Sequence, residues 1–578
     1  MFLPTTIKEM DKLGWKNLDV ILVSGDSYID SPFIGISVIG KHLVEKGFRV
    51  GVIAQPDINS EKDIIRLGEP LLFWGVTSGS VDSMVANYTA TKKRRKRDDY
   101  TPGGINDKRP DRSLIVYTGL IRRFFKNTVP VVLGGIEASL RRVSHYDFWS
   151  NKVRRSVLFD AKADVLIYGM GERAVLNLAE NLRDGENYKN INGICYTSKD
   201  LKNITDNFVN IPSFEEVDSS KSSFTKMFNI FYENCDPITA SGLIQKHDKR
   251  YLIQNPPSEY LLQTELDEIY GYKYELELHP YYKKMGDVRA LDTIKFSITT
   301  HRGCYGECNF CAISVHQGRT VRYRSEKSIL EEARNLSAIK DFKGNIMDAG
   351  GPTANMYGFE CKKKLEKGVC KDKRCLFPEV CKTLKPDHSK QISLIKKMEK
   401  IKGVKRVFIA SGIRYDLILK DGISGDKYLK KIVSDNISGQ MKIAPEHTEK
   451  NILKMMGKPD QDEIVKFKKM FDKHSKDIGK KQFLTYYLIA AHPGCREKDM
   501  SNLKNFMNKE LKINPEQVQV FTPTPSTYST HMYYTGKDMS GNNIFVERDI
   551  KRKEKQKNII TENSFSRKKN QKNPKKNR

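Results

Sequence analysis

Between Asp19 and Gly169 one kind of segment recurs: "DVILVS" (Asp19–Ser24), "RVGVIA" (Arg49–Ala54), "LLFWGVTSG" (Leu71–Gly79), "VPVVLGG" (Val129–Gly135) and "ADVLIYG" (Ala163–Gly169). Each run is short, rich in β-branched residues and free of polar alternation. Strands buried on both faces read this way, and the helix-length spacers between them supply crossovers. The pattern predicts a doubly wound parallel α/β sheet over residues 1–200. Several runs end in Gly or Ser, at the strand ends where open α/β sheets take ligands. None carries the full G-x-G-x-x-G fingerprint, so a nicotinamide site is not supported.

A second alternation of strands and helices spans residues 290–530. Its candidate strands are "IKFSITT" (Ile294–Thr300), "GNIMDAGG" (Gly344–Gly351), "VKRVFIASG" (Val404–Gly412), "GQMKIAPEH" (Gly439–His447), "FLTYYLIAAHPG" (Phe483–Gly494) and "VQVFTPTP" (Val518–Pro525). Six such units are too few for a closed eight-stranded barrel, and they predict an open (β/α)6 partial barrel. Residues 201–289, polar and without steady period, read as a linker that bridges the two domains. Residues 531–578 read as a basic tail, disordered from Asp549, where 12 Lys/Arg face 3 Asp/Glu.

The 578-residue chain has no apolar run long enough to span a membrane and no secretory signal at its start. Ten cysteines in such a chain point to reduced thiols in the cytoplasm, as metal ligands or catalytic groups rather than disulfides. The formal net charge of +29 suits contact with nucleic acid and equally suits a lysine-rich solvated surface.

The chemistry is carried by "HRGCYGECNFCAIS" (His301–Ser314), with Cys304, Cys308 and Cys311 spaced C-x3-C-x2-C directly after the first barrel strand. Thiolates suit iron–sulfur iron. A structural zinc and a ferredoxin-type [4Fe–4S] cluster each want four protein ligands. Three thiolates on a four-iron cluster leave one iron open to a small molecule, and the amino and carboxylate groups of S-adenosylmethionine (SAM) can fill it. Phe310 is placed to wall the adenine.

This spacing, with an aromatic residue before the last cysteine on the loop after the first strand of a six-unit barrel, resembles the radical SAM superfamily. A narrower match runs through "PGGINDKRPDRSLIVY" (Pro102–Tyr117), "GGIEASLRRVSHYDFW" (Gly134–Trp149), "LIYGMGE" (Leu166–Glu172), "AGGPTANMYG" (Ala349–Gly358), "KIAPEHT" (Lys442–Thr448) and "MYYTGKD" (Met532–Asp538), which are similar to the YgiQ-type radical SAM proteins. The resemblance implies that Cys304, Cys308 and Cys311 ligate a [4Fe–4S] cluster. It implies that Gly350 and Gly351 lie where the superfamily often carries Gly-Gly-Glu to hold the methionine amine. Pro352 and Thr353 follow here instead of Glu. Ser411, Arg414 and Glu446 are candidate contacts to the SAM carboxylate or ribose. The implied function is reductive cleavage of SAM to a 5′-deoxyadenosyl radical that abstracts hydrogen from an unidentified substrate. The implied partner is an electron donor such as a flavodoxin or ferredoxin. The alternatives are an RNA-modifying enzyme of methylthiotransferase or Elongator-like type, favoured by the charge, and a non-enzymatic iron–sulfur or metal-binding scaffold.

Four further cysteines, Cys361, Cys370, Cys375 and Cys381, with His388 beyond, fall in an insertion over 358–388. They suit a second cluster, a zinc or free thiols. Cys195 and Cys235 read as structural, and Cys495 is left open. The N-terminal sheet and "DSPFIG" (Asp30–Gly35) are similar to cobalamin-binding domains of B12-dependent radical SAM enzymes. Pro32 stands where the lower-ligand motif D-x-H-x-x-G has His, so the sequence argues against cobalamin and leaves only binding without a protein lower ligand. The charges of "GGIEASLRRVSHYDFW" (Glu137, Arg141, Arg142, His145, Asp147) suit an anionic substrate or a salt-bridge network. "TKKRRKRDD" (Thr91–Asp99) reads as a solvated charge run that could reach phosphates.

Overall fold

The computed structural model describes residues 1–202, 204, 207–515 and 517–561. The N-terminal sheet has nine strands: β1 (Val20–Ser24), β2 (Val50–Ala54), β3 (Phe73–Thr77), β4 (Val131–Gly134), β5 (Val165–Ile167), β6 (Ile194–Ser198), β7 (Phe208–Ile211), β8 (Gly242–His247) and β9 (Arg250–Gln254). Their order is β7-β8-β9-β6-β5-β4-β3-β1-β2. The five strands read from the sequence form the parallel part, in the order 2-1-3-4-5 of a doubly wound sheet. Successive residues face opposite layers. Val20 and Leu22 join one apolar core with helix Gly35–Glu45, and Ile21 and Val23 join the other with helix Ser113–Phe124.

Residues 201–289 are not a linker. Strands β7, β8 and β9 extend the same sheet, with β9 antiparallel to β6 and β8 antiparallel to β9. The sequence hides them because their buried positions include Gln245 and Gln254, whose amides serve other chain segments: Gln245 accepts from Ser144 N at 2.9 Å and Gln254 from Arg142 Nε at 3.1 Å. The β8–β9 turn carries Asp248 at φ 53 instead of a glycine signal.

The second domain carries β10 (Ser297–Thr299), a second strand in two pieces, β11 (Asn345–Ile346) and β12 (Asp348–Gly350), then β13 (Arg406–Val407), β14 (Gln440–Glu446), β15 (Phe483–Ala490) and β16 (Gln519–Val520). They pair in parallel and in chain order: β10 with β12, β11 with β13, a single Ile413–Ile443 bridge, then β14 with β15 and β15 with β16. Helices Glu326–Ser337, Ser389–Glu399, Tyr415–Asp421, Gln461–Asp477 and Glu497–Lys509 lie between. Among the described residues β10 and β16 do not meet, so the barrel is open. The N-terminal domain packs there: Phe521 and Tyr533 are buried in its apolar core, and Ser526 donates to Leu140 O at 2.8 Å.

The tail is ordered further than its composition suggests. Helix Ile550–Thr561 buries Lys553, Gln556 and Ile560. Only one of those three is apolar, so no hydrophobic period announces the helix. The remainder of the basic tail, 562–578, lies outside the described residues.

Candidate active site

The cysteine loop leaves β10 through Thr300 and the short pairing of His301–Arg302 with Arg322–Tyr323. Gly303, at φ 79, presses on the Thr320 carbonyl where any Cβ would collide. The loop then wraps around Gly306. A Cβ there would stand 2.9 Å from Arg414 Nη1, 3.2 Å from Cys304 Sγ and 3.7 Å from Cys308 Sγ, so a residue without a side chain lies against two of the three sulfurs. Gly306 N donates to Cys304 Sγ at 3.3 Å, and Thr353 Oγ1 lies 3.5 Å from the same sulfur. Arg414 Nη1 donates to Cys308 Sγ at 3.6 Å while its Nε bonds Asp416 at 2.8 Å.

Burial raises the Cys304 thiol and pushes Cys311 up to about 12, with the neighbouring Cys308 adding in both cases. Both shifts favour the protonated thiols, so a metal bound by them would displace protons. Glu446 closes β14 after a break in register, with φ 69, and is buried. Burial pushes its carboxyl up to about 7 against the opposing fields of Lys458 and Arg414. Its carboxyl makes no hydrogen bond among the described residues, and its charge is felt at Cys311.

The loop is held from three sides. Asn309 N donates to Met456 O at 2.9 Å and its amide to Met455 O at 2.7 Å. Glu307, at φ 47, pairs with Arg319 at 3.1 Å and accepts from Tyr232 Oη at 2.6 Å. Arg374, from the cysteine-rich insertion, donates to Glu307 O at 3.0 Å and Asn309 Oδ1 at 2.6 Å. Phe310 is half-buried and packs against both domain cores, 6.4 Å from the His492 ring.

The structure sorts the other sequence candidates. The Gly350 carbonyl already accepts Thr300 N at 2.7 Å and Thr300 Oγ1 at 3.1 Å. Ser411 Oγ donates to Asp348, which also accepts Ala410 N at 2.8 Å, so Ser411 is a satisfied strand-end group. The dense charges of residues 137–147 pair within their own domain: Arg141 with Asp82, and Asp147 with Arg112 at 2.5 Å. Arg142 lies between the rings of Tyr168 and Phe231, 4.5 and 4.4 Å from their centres. Cys195 is a core residue, Cys235 accepts from Arg142 at 3.3 Å, and Cys495 is buried 3.6 Å from His447 Nε2. Lys92 to Arg97 are exposed, and Lys93 pairs with Glu554 at 2.5 Å. Thr353, Asp416 and Asn309 were not singled out by sequence. Asp416, two residues after Arg414, was the readable one.

No helix is long and apolar enough to cross a membrane among the described residues.

The chain matches the family models described as Radical SAM N-terminal over residues 2–297 and Radical SAM superfamily over residues 298–507. It is 59% identical over 569 residues to a UPF0313 protein of Fusobacterium nucleatum, covering 98% of this chain and 100% of that one. It is 50% identical over 564 residues to a UPF0313 protein of Thermotoga petrophila, covering 97% and 98%. Among solved structures it resembles the cobalamin-dependent S-adenosylmethionine radical enzyme OxsB with aqua-cobalamin bound, at TM-score 0.50 and 11% identity over 91% of this chain and 57% of that one. It also resembles the radical S-adenosylmethionine methyltransferase TsrM of Kitasatospora setae, with cobalamin and a [4Fe-4S] cluster bound, at TM-score 0.49 and 13% identity over 91% and 87%. These two likenesses concern the fold alone. On the extent and identity of its relatives, and on two family models that together run from residue 2 to residue 507, the chain is a radical SAM enzyme belonging to the UPF0313 family.

Proposed function

We propose that Cys304, Cys308 and Cys311 hold a [4Fe–4S] cluster whose fourth iron is kept open for SAM. When bound, that cluster supplies the one electron that splits SAM into methionine and a 5′-deoxyadenosyl radical, which takes hydrogen from a substrate. The observation that carries this reading is the grouping of Cys304, Cys308 and Arg414 around Gly306 at the mouth of the open barrel. Arg414 supplies positive charge and an N–H donor to Cys308, and Asp416 fixes its plane. Gly351 offers its carbonyl to the methionine amine, a role that Gly350 gives up to Thr300. Glu446 presents an unbonded carboxyl to the amine or ribose, and Phe310 walls the adenine. The reductant is a low-potential donor of flavodoxin or ferredoxin type, and a cytoplasmic setting suits unprotected thiolates.

The test uses anaerobically reconstituted protein, dithionite and SAM, with 5′-deoxyadenosine as the readout. Product that disappears in Cys304→Ala/Cys308→Ala/Cys311→Ala is expected. Cluster formation without any SAM cleavage, even with cell extract added as a substrate source, would overturn the reading.

Cobalamin, bound in OxsB and TsrM, is not part of this proposal. The crevice between the carboxyl ends of β1 and β3, where a sheet of this order takes its ligand, is filled by Arg109. That side chain is buried and pairs with Asp26 at 2.6 Å and Asp98 at 3.0 Å. Helix Gly135–Leu140, at the end of β4, meets the short helix Ile313–His316 directly, with Ser139 Oγ 2.9 Å from His316 Nδ1. Both contacts argue against a corrin in this crevice. Gel filtration after incubation with hydroxocobalamin should leave the protein without cobalt, and stoichiometric cobalt would refute this.

RNA modification keeps one observation in its favour: a groove of about 870 Å³ on the outer helices, lined by Arg334, Lys397, Lys400 and Lys402. Tight, salt-sensitive RNA binding that weakens in a variant with these four changed to Glu would support it.

A further inference from the structure

The insertion between β12 and helix Ser389–Glu399 gathers three of its thiols beside the cluster loop. Thr383 Oγ1 lies 3.1 Å from Cys381 Sγ and 3.9 Å from Cys361 Sγ, so one hydroxyl spans the two sulfurs. Cys381 N donates to Cys375 O at 2.8 Å, which folds the intervening residues into a loop and sets these two cysteines side by side. Lys364 Nζ donates to Cys375 Sγ at 3.5 Å and to the Arg319 carbonyl. All three cysteines share one apolar nest with Leu376, Val380 and Leu384, and its other wall is Tyr305 of the cluster loop. Cys370, half-buried on the same insertion, makes no hydrogen bond among the described residues.

A thiol of structural use alone needs neither an ammonium nor a shared hydroxyl aimed at its sulfur. Donors of this kind offset the charge of ligating thiolates and their cluster. Zinc and iron–sulfur iron both accept such thiolates, and the position of the nest against the first thiol loop, across Tyr305, favours an electron-carrying cluster.

We propose that Cys361, Cys375 and Cys381, with Cys370 as fourth ligand, hold a second [4Fe–4S] cluster, separated from the first by Tyr305. The reading stands independently of SAM cleavage. It also gives the Arg374 contacts to Glu307 and Asn309 a purpose, since they tie the second thiol group to the loop of the first.

The test is iron, sulfide and zinc analysis of the full chain reconstituted anaerobically, with electron paramagnetic resonance after reduction. The wild type should carry about eight irons, and Cys304→Ala/Cys308→Ala/Cys311→Ala should keep about four with a reduced-cluster signal. That variant leaves the insertion untouched, so misfolding of the insertion does not confuse the result. Cys361→Ala/Cys375→Ala/Cys381→Ala should lose the other half. Loss of all iron from the first variant, or one zinc per chain in its place, would overturn the proposal. Absence of 5′-deoxyadenosine with eight irons present would instead count against the proposed function alone.

Discussion

Gly306 lies against two of the three loop sulfurs, and it gives a sharp prediction. A methyl group there would crowd Arg414 and two sulfurs at once. Gly306→Ala should therefore lose more than half of the iron held at Cys304, Cys308 and Cys311, read as a fall from about eight irons toward about four, while far-ultraviolet circular dichroism is unchanged. The two strand-end glycines should separate in the same assay. A Cβ on Gly350 meets nothing closer than 3.4 Å, whereas one on Gly351 falls 2.7 Å from the His301 carbonyl and ring. Gly350→Ala should keep SAM cleavage within about twofold, and Gly351→Ala should lose it by tenfold or more, a cost of about 1.4 kcal/mol. At this scale the nearness of Cys304, Cys308 and Cys311 was legible, because C-x3-C-x2-C confines them to one short loop. Thr353 and Asn309 were not, because their roles depend on contacts with Cys304 and with Met455 and Met456 that sequence order does not reveal. Ser411 read as available and is occupied, since its partner Asp348 lies 63 residues earlier on a neighbouring strand.

Elements with uninterrupted apolar runs were legible, and those that bury polar side chains were not. Strands β7 to β9 and helix Ile550–Thr561 belong to the second kind. The helix supports the end of the barrel: Gln556 Oε1 accepts Ala491 N at 3.0 Å, its amide donates to Cys495 O at 3.3 Å, and Ile560 joins the barrel core. Lys553 donates to Tyr533 Oη at 3.0 Å and lies 5.0 Å from the centre of the Phe148 ring. Ile560→Ala should cost about 2–4 kcal/mol in urea denaturation. Gln556→Ala should cost about 1–3 kcal/mol by leaving two buried backbone groups unpaired. A solvated tail would give zero for both.

The whole molecule carries several histidines buried in the neutral form. Desolvation pushes His247 and His492 down to about 3, and His145 and His531 down to about 4. The unfolded chain binds these protons near pH 6.5, and the folded chain binds them only at much lower pH. Their contribution to stability is complete above pH 6.5 and declines as pH falls from there, toward about 4 for His145 and His531 and toward about 3 for His247 and His492. Each has a limiting slope of about 1.4 kcal/mol per pH unit. Urea midpoints should therefore fall steeply from pH 7 to pH 5. His247 lies between Phe159 and Phe214, with neither ring nitrogen bonded among the described residues. His247→Phe should flatten the curve, and an unchanged slope would show that His247 titrates normally. The parallel five-strand core and the six barrel strands were both read from sequence. Their relation was not, because it rests on single pairs such as Arg302–Glu172 and Ser139–His316, which join residues 130 and 177 positions apart.

The chain also returns on itself. Ser526 reaches Leu140, Glu554 reaches Lys93, and the first residue's amino group pairs with Glu275. To a protease, the stretch near Gly286 would look like a cut between two beads. A nick there should nevertheless leave both fragments travelling as one particle until denaturant is added, because the last helix clasps the first domain.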